Sequence, residues 1–539
     1  MIMRRLSHHS ISDQTGYFVR AFVLVLGAAL LSACSFSAAA TVTPSPTATA
    51  TATVPLVATV TPTQVMTATD SPSATSIPTL TLTPSITATA TLTPTITRTP
   101  APTWTPADTP SYVGDHLTRV TLLPEVVKAV GKLWLSFINV SDANPPGTPG
   151  TPVTSSNKET VYLVAPDGSL KLKVLDLPAS TDRRVFWSPN GAYMAYFIPD
   201  GAAPGLYLLD IANQTNQRLF DVPDLTPRGF LVEPVWSPDS SRLTVNITTA
   251  YGLSLYSLQV DGSGFSQLAP GVGQPYDLWP SWSVDGAYVA FVSDRAACPS
   301  WQPDAPKTCY SPNATPPPGG GVYIVDSSGK NVRQLADKLV TSAPHWITST
   351  RVGFTVSGAL WWVDLRDGVT HQASQLDSGD SSTALREAWS PDGRSVIYQE
   401  VGSSSRIVVR SDSGALVGTL DSTLFNFARY SFTAVWSPDG KKIVIGGHGG
   451  QCPFGMILTD DHLKVTLQSP PAPAICDPSW SPDGRYIAFE GVTQSSGGGS
   501  TRDGRYDLYV SESSGYAVHN ITGKLGGLIR ILGWVGSSQ

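Results

Sequence analysis

A five-residue stretch, Trp-Ser-Pro-Asp-Gly, constrains this chain more than any other feature. It is complete from Trp389, Trp436 and Trp480, and near-copies open at Trp187 (Ser-Pro-Asn-Gly), Trp236 (Ser-Pro-Asp-Ser) and Trp282 (Ser-Val-Asp-Gly), while Trp346 keeps only the tryptophan. From Trp187 to Trp480 these tryptophans lie 49, 46, 64, 43, 47 and 44 residues apart. A unit of that length cannot bury its apolar surface alone and must stack on its neighbours, and the period matches one blade of a β-propeller.

Within each unit the pattern predicts a strand ending in Trp, the turn, and then three further strands. Ser caps position i of the turn, Pro presets the backbone of i+1, Asp suits i+2, and Gly takes the left-handed position that closes a bulged hairpin. Ser240 stands where glycine is wanted and is expected to cost roughly 1 kcal/mol for its positive φ, whereas the turn at Val284 loses only the proline's preorganisation. Short polar turns such as Asp261-Gly262, Ser328-Gly329, Asp367-Gly368 and Ser413-Gly414 suit hairpins between third and fourth strands.

Seven tryptophan-led units start at Trp187, Trp236, Trp282, Trp346, Trp389, Trp436 and Trp480, and residues 528–534 read as an eighth first strand after which the chain stops. Residues 133–175 offer three strands with no first strand of their own. The expected fold is therefore all-β: a propeller of four-stranded antiparallel blades, eight in number, with a composite blade joining the two ends and removing free edges. Seven blades result if residues 133–175 pack outside the ring.

The propeller occupies residues 131–539, and what precedes it differs in kind. Residues 1–33 read as an export signal: Arg4, Arg5 and Arg20 stand before an uncharged apolar run, 21–31, too short to span a bilayer. The run ends in Leu31-Ser32-Ala33-Cys34, which resembles the bacterial lipobox; that resemblance implies lipidation of Cys34 and an anchor outside the cytoplasm. Residues 34–112 form a linker dominated by Thr, Pro, Ala and Ser, expected to be disordered and extended, a stalk able to reach on the order of 200 Å. Residues 113–130 are a neck to which the sequence gives no element. Charged residues make up 14% of the chain, the net charge is -6, and no Lys or Arg run occurs, which excludes a nucleic-acid footprint.

Four cysteines remain in the exported part: Cys298, Cys309, Cys452 and Cys476. Disulfides are the default in that compartment, and local pairing, Cys298 with Cys309 and Cys452 with Cys476, is the arrangement that blade geometry favours. Neither C-x-x-C nor H-x-H occurs, so neither a metal nor a cofactor is expected.

The repeated motif at blade spacing resembles the TolB-type, WD40-like propeller repeat (PD40) over residues 133–535. The resemblance implies a propeller built from such repeats. TolB itself carries an α/β domain before a six-bladed propeller, and here a lipobox and a Thr/Pro linker take that place.

Function is expected on the face opposite the Ser-Pro-Asp-Gly turns, because the long loops after second and fourth strands all emerge there. That face is expected to carry Arg228, Tyr276, Asp277, Trp279, Asp294, Arg295, Trp301, Tyr310, Arg429 and Tyr430, aromatic and charged groups suited to a protein or a cell-envelope glycan. Three residues before each tryptophan, at the expected mouth of the channel, stand Arg184, Glu233, Trp279, Ala343, Arg386, Thr433, Asp477 and Ile531, which form a ring by shared register. The propeller also resembles the N-terminal module of dipeptidyl-peptidase-like enzymes, but no hydrolase domain follows Trp534, and no Gly-x-Ser-x-Gly, Walker or His-Glu-x-x-His motif occurs. His345 and His448 are the histidines best placed for a site. The sequence thus reads as a lipid-anchored, monomeric, non-enzymatic binding propeller. The alternatives are a propeller enzyme acting on polysaccharide through channel carboxylates such as Glu233 and Asp477, and a spacer without a ligand.

Overall fold

A computed structural model of the chain describes residues 117–141, 158–178, 184–199, 203–221, 233–248, 252–270, 275–296, 319–374, 383–401, 406–420, 431–448, 452, 454–470, 473–492, 506–523, 525 and 528–537. The export signal, Cys34, the Thr/Pro-rich segment, Arg228, Cys298, Trp301, Cys309, Tyr310, Arg429 and Tyr430 lie outside these residues.

The described strands pair as the repeat requires. In the Trp282 unit, Asp277–Trp282, Tyr288–Ser293, Gly320–Asp326 and Arg333–Val340 form one antiparallel sheet in chain order. Among the described residues the strands make eight four-strand sets of this kind, the Trp436 and Trp480 sets being fused by a single parallel link between Gly447 and Cys476. First strands touch first strands of neighbouring sets: Asp277–Trp282 meets Val235–Trp236 and His345–Trp346, and Phe432–Trp436 meets Thr383–Trp389 and Ala474–Trp480. They are the inner strands of a β-propeller.

The two ends of the chain share a sheet. Leu528–Val535 pairs antiparallel with Trp134–Ser141, bringing Leu135 opposite Trp534 and Val140 opposite Leu528. Lys158–Val164 and Lys171–Pro178 complete this set. The neck supplies a fifth strand to the Trp187 set: Leu117–Arg119 pairs with the outer strand Thr215–Phe220. One helical turn, Pro124–Val127, follows, and Val126 packs with Leu122 and Ala129 in the core that also holds Trp134 and Trp187. The cores lie between sheets rather than within them. Val161 and Leu163 of the composite set share one with Met194 and Leu209 of the Trp187 set, and Val435 and Val444 share another with Ile487 and Phe489.

The motif tryptophans contribute more than apolar area. Their indole N–H groups reach back to the preceding set: Trp236 donates to Phe186 O (3.1 Å), Trp346 to Ser281 O (2.8 Å), Trp436 to Ala388 O (2.9 Å) and Trp480 to Val435 O (3.1 Å), each acceptor standing just before the previous tryptophan. Trp282 uses Thr244 Oγ1 instead (3.0 Å). The same link crosses both joins of the composite sheet, since Trp534 donates to Ser479 O (3.3 Å) and Trp187 to Ser136 Oγ (2.8 Å). A buried indole needs an acceptor, and here that need connects one blade to the next.

The turns use the chemistry that their residues offer. In the Trp389 turn Ser390 Oγ donates to Asp392 Oδ1 (2.6 Å) and accepts the Ser395 N–H (3.0 Å), while Gly393 (φ 72°) donates to Ser390 O (2.9 Å). Ser240 holds the left-handed position with φ 64°. Its hydroxyl accepts the Asn190 N–H of the neighbouring turn (3.0 Å), which offsets part of the backbone cost.

Candidate functional site

Three of the residues that stand three before a motif tryptophan share an unusual backbone. Trp279, Arg386 and Asp477 have φ of 51°, 57° and 46°. At each, the pairing of the inner strand slips, between Leu278 and Ser281, Leu385 and Ala388, and Cys476 and Ser479. A bulge of this kind re-aims a side chain, and left-handed non-glycine residues cost of order 1 kcal/mol, so their recurrence at one register marks a shared level within the inner strands, with paired residues on both sides. All three side chains are half-buried. Proline follows two of them, Trp279-Pro280 and Asp477-Pro478, at a point where the slipped ladder needs no N–H. Of the other positions in that register, Thr433 pairs regularly with Gly446, and Arg184 begins its strand opposite Phe197. Glu233 is half-buried just ahead of the short strand Val235–Trp236.

Around Asp477 polar groups from three sets meet. Its Oδ1 lies 2.5 Å from His448 Nδ1 and accepts from Thr433 Oγ1 (3.0 Å), which is itself 3.2 Å from His448 Nδ1. His448 is buried, its Nε2 out of reach of solvent. Cys476 is paired with Glu490 on the next strand, and Glu490 Oε1 accepts the Ile531 N–H of the closing strand (3.0 Å). Burial and the neighbouring Asp477 charge push the Glu490 carboxyl up to about 7, with the Ile531 N–H and Arg530 pulling the other way. Cys476 is bonded to Cys452, their Cα atoms 5.3 Å apart.

Tyr276, Asp277, Asp294 and Arg295 are also brought together, but as a brace. Tyr276, Asp277 and Asp294 are buried; Asp277 opens the first strand of the Trp282 set, Tyr276 stands just before it, and Asp294 follows the end of the second strand. Arg295 Nη2 contacts both Asp277 oxygens (2.9 and 3.0 Å) and Ala269 O (3.1 Å), and its guanidinium lies over Phe291 and Tyr323. Asp294 Oδ1 accepts the Tyr276 N–H (2.8 Å). Burial pushes both carboxyls up to about 6, against the lowering effects of Arg295 on Asp277 and of the Tyr276 N–H on Asp294.

Asp460, Asp461 and His462 place three donor atoms close enough for a metal. They belong to a hairpin turn, however, where Asp460 Oδ1 accepts the His462 and Lys464 N–H groups (3.0 and 2.9 Å) and Asp461 contacts His462 Nδ1 (2.6 Å). Glu490 was not legible as a site residue. The only signal for it is an acid near the end of a second strand that is otherwise apolar, Tyr486–Val492.

No family model matches the sequence. Over 108 residues the chain is 31% identical to the TolB homolog of Chlorobium chlorochromatii (strain CaD3), a stretch that covers 20% of this chain and 22% of that protein. The match thus spans about a fifth of the relative's length. Among solved structures the chain is similar to TolB from Acinetobacter baumannii (14% identity, 70% of this chain and 79% of that one, TM-score 0.30). It is also similar to oligogalacturonate lyase from Vibrio parahaemolyticus (13% identity, 71% and 98%, TM-score 0.38). From its own strand pairing, the chain is a β-propeller, and its repeats resemble those of TolB.

Proposed function

We propose that the protein is an exported, lipid-anchored propeller of eight blades that binds a protein or cell-envelope glycan at the bulges of its inner strands and performs no chemistry of its own. The observation that carries this reading is the left-handed backbone shared by Trp279, Arg386 and Asp477. A fold that accepts that cost in three separate inner strands turns an aromatic ring, a cation and an anion out of the ladder at the same level. The partial likeness to a TolB homolog supports a binding role and a place in the cell envelope. Lipidation of Cys34 and a Thr/Pro-rich stalk are the means of attachment in this reading.

A second reading, a propeller enzyme, has one observation in its favour: Asp477, His448 and Glu490 cluster near one inner strand. Against it, Asp477 occupies Nδ1 of His448 and the other ring nitrogen is buried.

The purified chain, passed over solubilised envelope material, is expected to retain a specific protein or glycan identifiable by mass spectrometry. Cys34→Ser is expected to move the protein from the membrane to the soluble fraction. No retained species would reject the binding role, and unchanged fractionation would reject the anchor.

A further inference from the structure

The loop end of the Trp436 and Trp480 blades is held differently from the turn end. At the turn end the Trp480 indole N–H donates to Val435 O across the two blades. At the loop end the blades are joined by the Gly447–Cys476 link and by the Cys452–Cys476 bond, whose partners are 24 residues apart in sequence. His448 follows Gly447 and Asp477 follows Cys476, so each member of the His448–Asp477 pair is one residue from this joint. Away from the joint, the His448 backbone N–H donates to Ser431 O (3.1 Å), within its own blade.

We propose that the Cys452–Cys476 bond is a redox-sensitive brace of the Asp477 rim: intact, it holds His448 against Asp477, and its reduction loosens the loop end of these blades while the turn end stays closed. The inference deepens the binding role argued above and rests on it for its biological meaning. Cys452 is partly exposed and Cys476 fully buried, so a dithiol reductant meets Cys452 first. Its thiolate attacks Cys452 Sγ, the S–S bond breaks, and Cys476 leaves and takes a proton from water. The reductant's second thiol then displaces Cys452 as a thiol and closes to a cyclic disulfide. Two electrons pass to the protein and the reductant is oxidised.

The test is hydrogen–deuterium exchange of the full chain with and without dithiothreitol, which needs no ligand. Amide exchange is expected to quicken by about tenfold or more in residues 444–448, 454–456 and 474–479 and to stay unchanged in the Trp187 and Trp236 blades. Cys452→Ser under oxidising conditions must reproduce the effect, which separates it from any response of Cys298 and Cys309. Reoxidation of the reduced wild-type chain must reverse it, a check that survives poor folding of the variant. Unchanged exchange, or acceleration spread over the whole ring, overturns the brace. Local loosening in a protein that retains nothing from the envelope leaves the brace standing and removes the binding role. Equal retention of an identified ligand by oxidised and reduced protein overturns the brace's part in binding.

Discussion

Arg295→Met is expected to destabilise the protein by about 3 to 5 kcal/mol at pH 8, and by clearly less at pH 5. Asp277 is fully buried, and Arg295 is the cation that contacts both its oxygens. Removing the guanidinium leaves a carboxylate in the interior with its desolvation uncompensated, together with a lost stack over Phe291 and Tyr323. The sign of the pH effect follows from burial, which already raises Asp277 to about 6 despite Arg295. The folded protein therefore holds this proton more tightly than the unfolded chain. The stabilisation is fully present below about 4 and is lost as pH rises through about 6. Without Arg295 the carboxyl rises further, so the variant recovers on acidification more than the wild type does. Urea denaturation at both pH values measures this, and an equal loss at pH 5 and pH 8 would show that the pair is not the source. In the wild type Asp294 and Glu490, raised to about 6 and about 7 chiefly by burial, act in the same direction. The turn residues Asp392, Asp439 and Asp483 act oppositely. Burial opposes their ionisation, but serine hydroxyls and backbone N–H groups outweigh it and hold them below the usual carboxylate range. Their contribution disappears only as pH falls below about 4.

Truncation after residue 527 is expected to abolish cooperative folding at 25 °C. It removes the inner strand of the composite sheet and leaves Trp134–Ser141 as an unpaired edge in the middle of the ring. Ile529, Trp534 and Val535 are buried, and at roughly 1.5 to 3 kcal/mol for each large side chain their loss approaches the whole stability of a typical domain. The Trp534 link to Ser479 and the Glu490 bond to the Ile531 N–H are lost with them. Circular dichroism and thermal unfolding report the outcome. A truncated chain that melts cooperatively within about 5 °C of the full one would mean that the closing strand is an accessory.

Much of this arrangement is written in the sequence because the blade is a local unit. The spacing of Trp187, Trp236, Trp282, Trp389, Trp436 and Trp480 locates the inner strands, and the orphan strands near Trp134 look for a partner that Leu528–Val535 supplies. The turns follow from their own residues. What the pattern does not carry is whatever depends on contact between blades. The indole bonds to preceding carbonyls are invisible in a motif read one unit at a time. Asp277 and Arg295 look like loop residues because they flank strand ends, and the pattern does not show that Arg295 lies over Phe291 and Tyr323 and reaches both oxygens of Asp277. The neck's strand, Leu117–Arg119, is three exposed residues without alternation, and it forms against the outer edge of Thr215–Phe220. At the candidate site the shared register of Trp279, Arg386 and Asp477 is legible, but their left-handed backbone is not. Trp279 and Asp477 stand before proline and Arg386 before Glu387, and none of these contexts gives warning of positive φ. The convergence of Thr433, His448 and Asp477 comes from two strands of one blade and one of the next, joined by a cysteine bond whose ends are distant in sequence.

Whether ligand is held at the bulged rim or on the turn face is decided by the affinity for the retained envelope ligand of Trp279→Asn, Arg386→Asn and Asp477→Asn, beside Arg394→Glu, an exposed charge in the Trp389 turn. Asparagine tolerates the left-handed backbone, so the rim variants change chemistry with little change in fold. At least two rim variants are expected to lose about tenfold or more in affinity, roughly 1.4 kcal/mol each, while Arg394→Glu stays within about twofold. Wild-type affinity in all three rim variants, with binding lost in Arg394→Glu, would contradict binding at the rim.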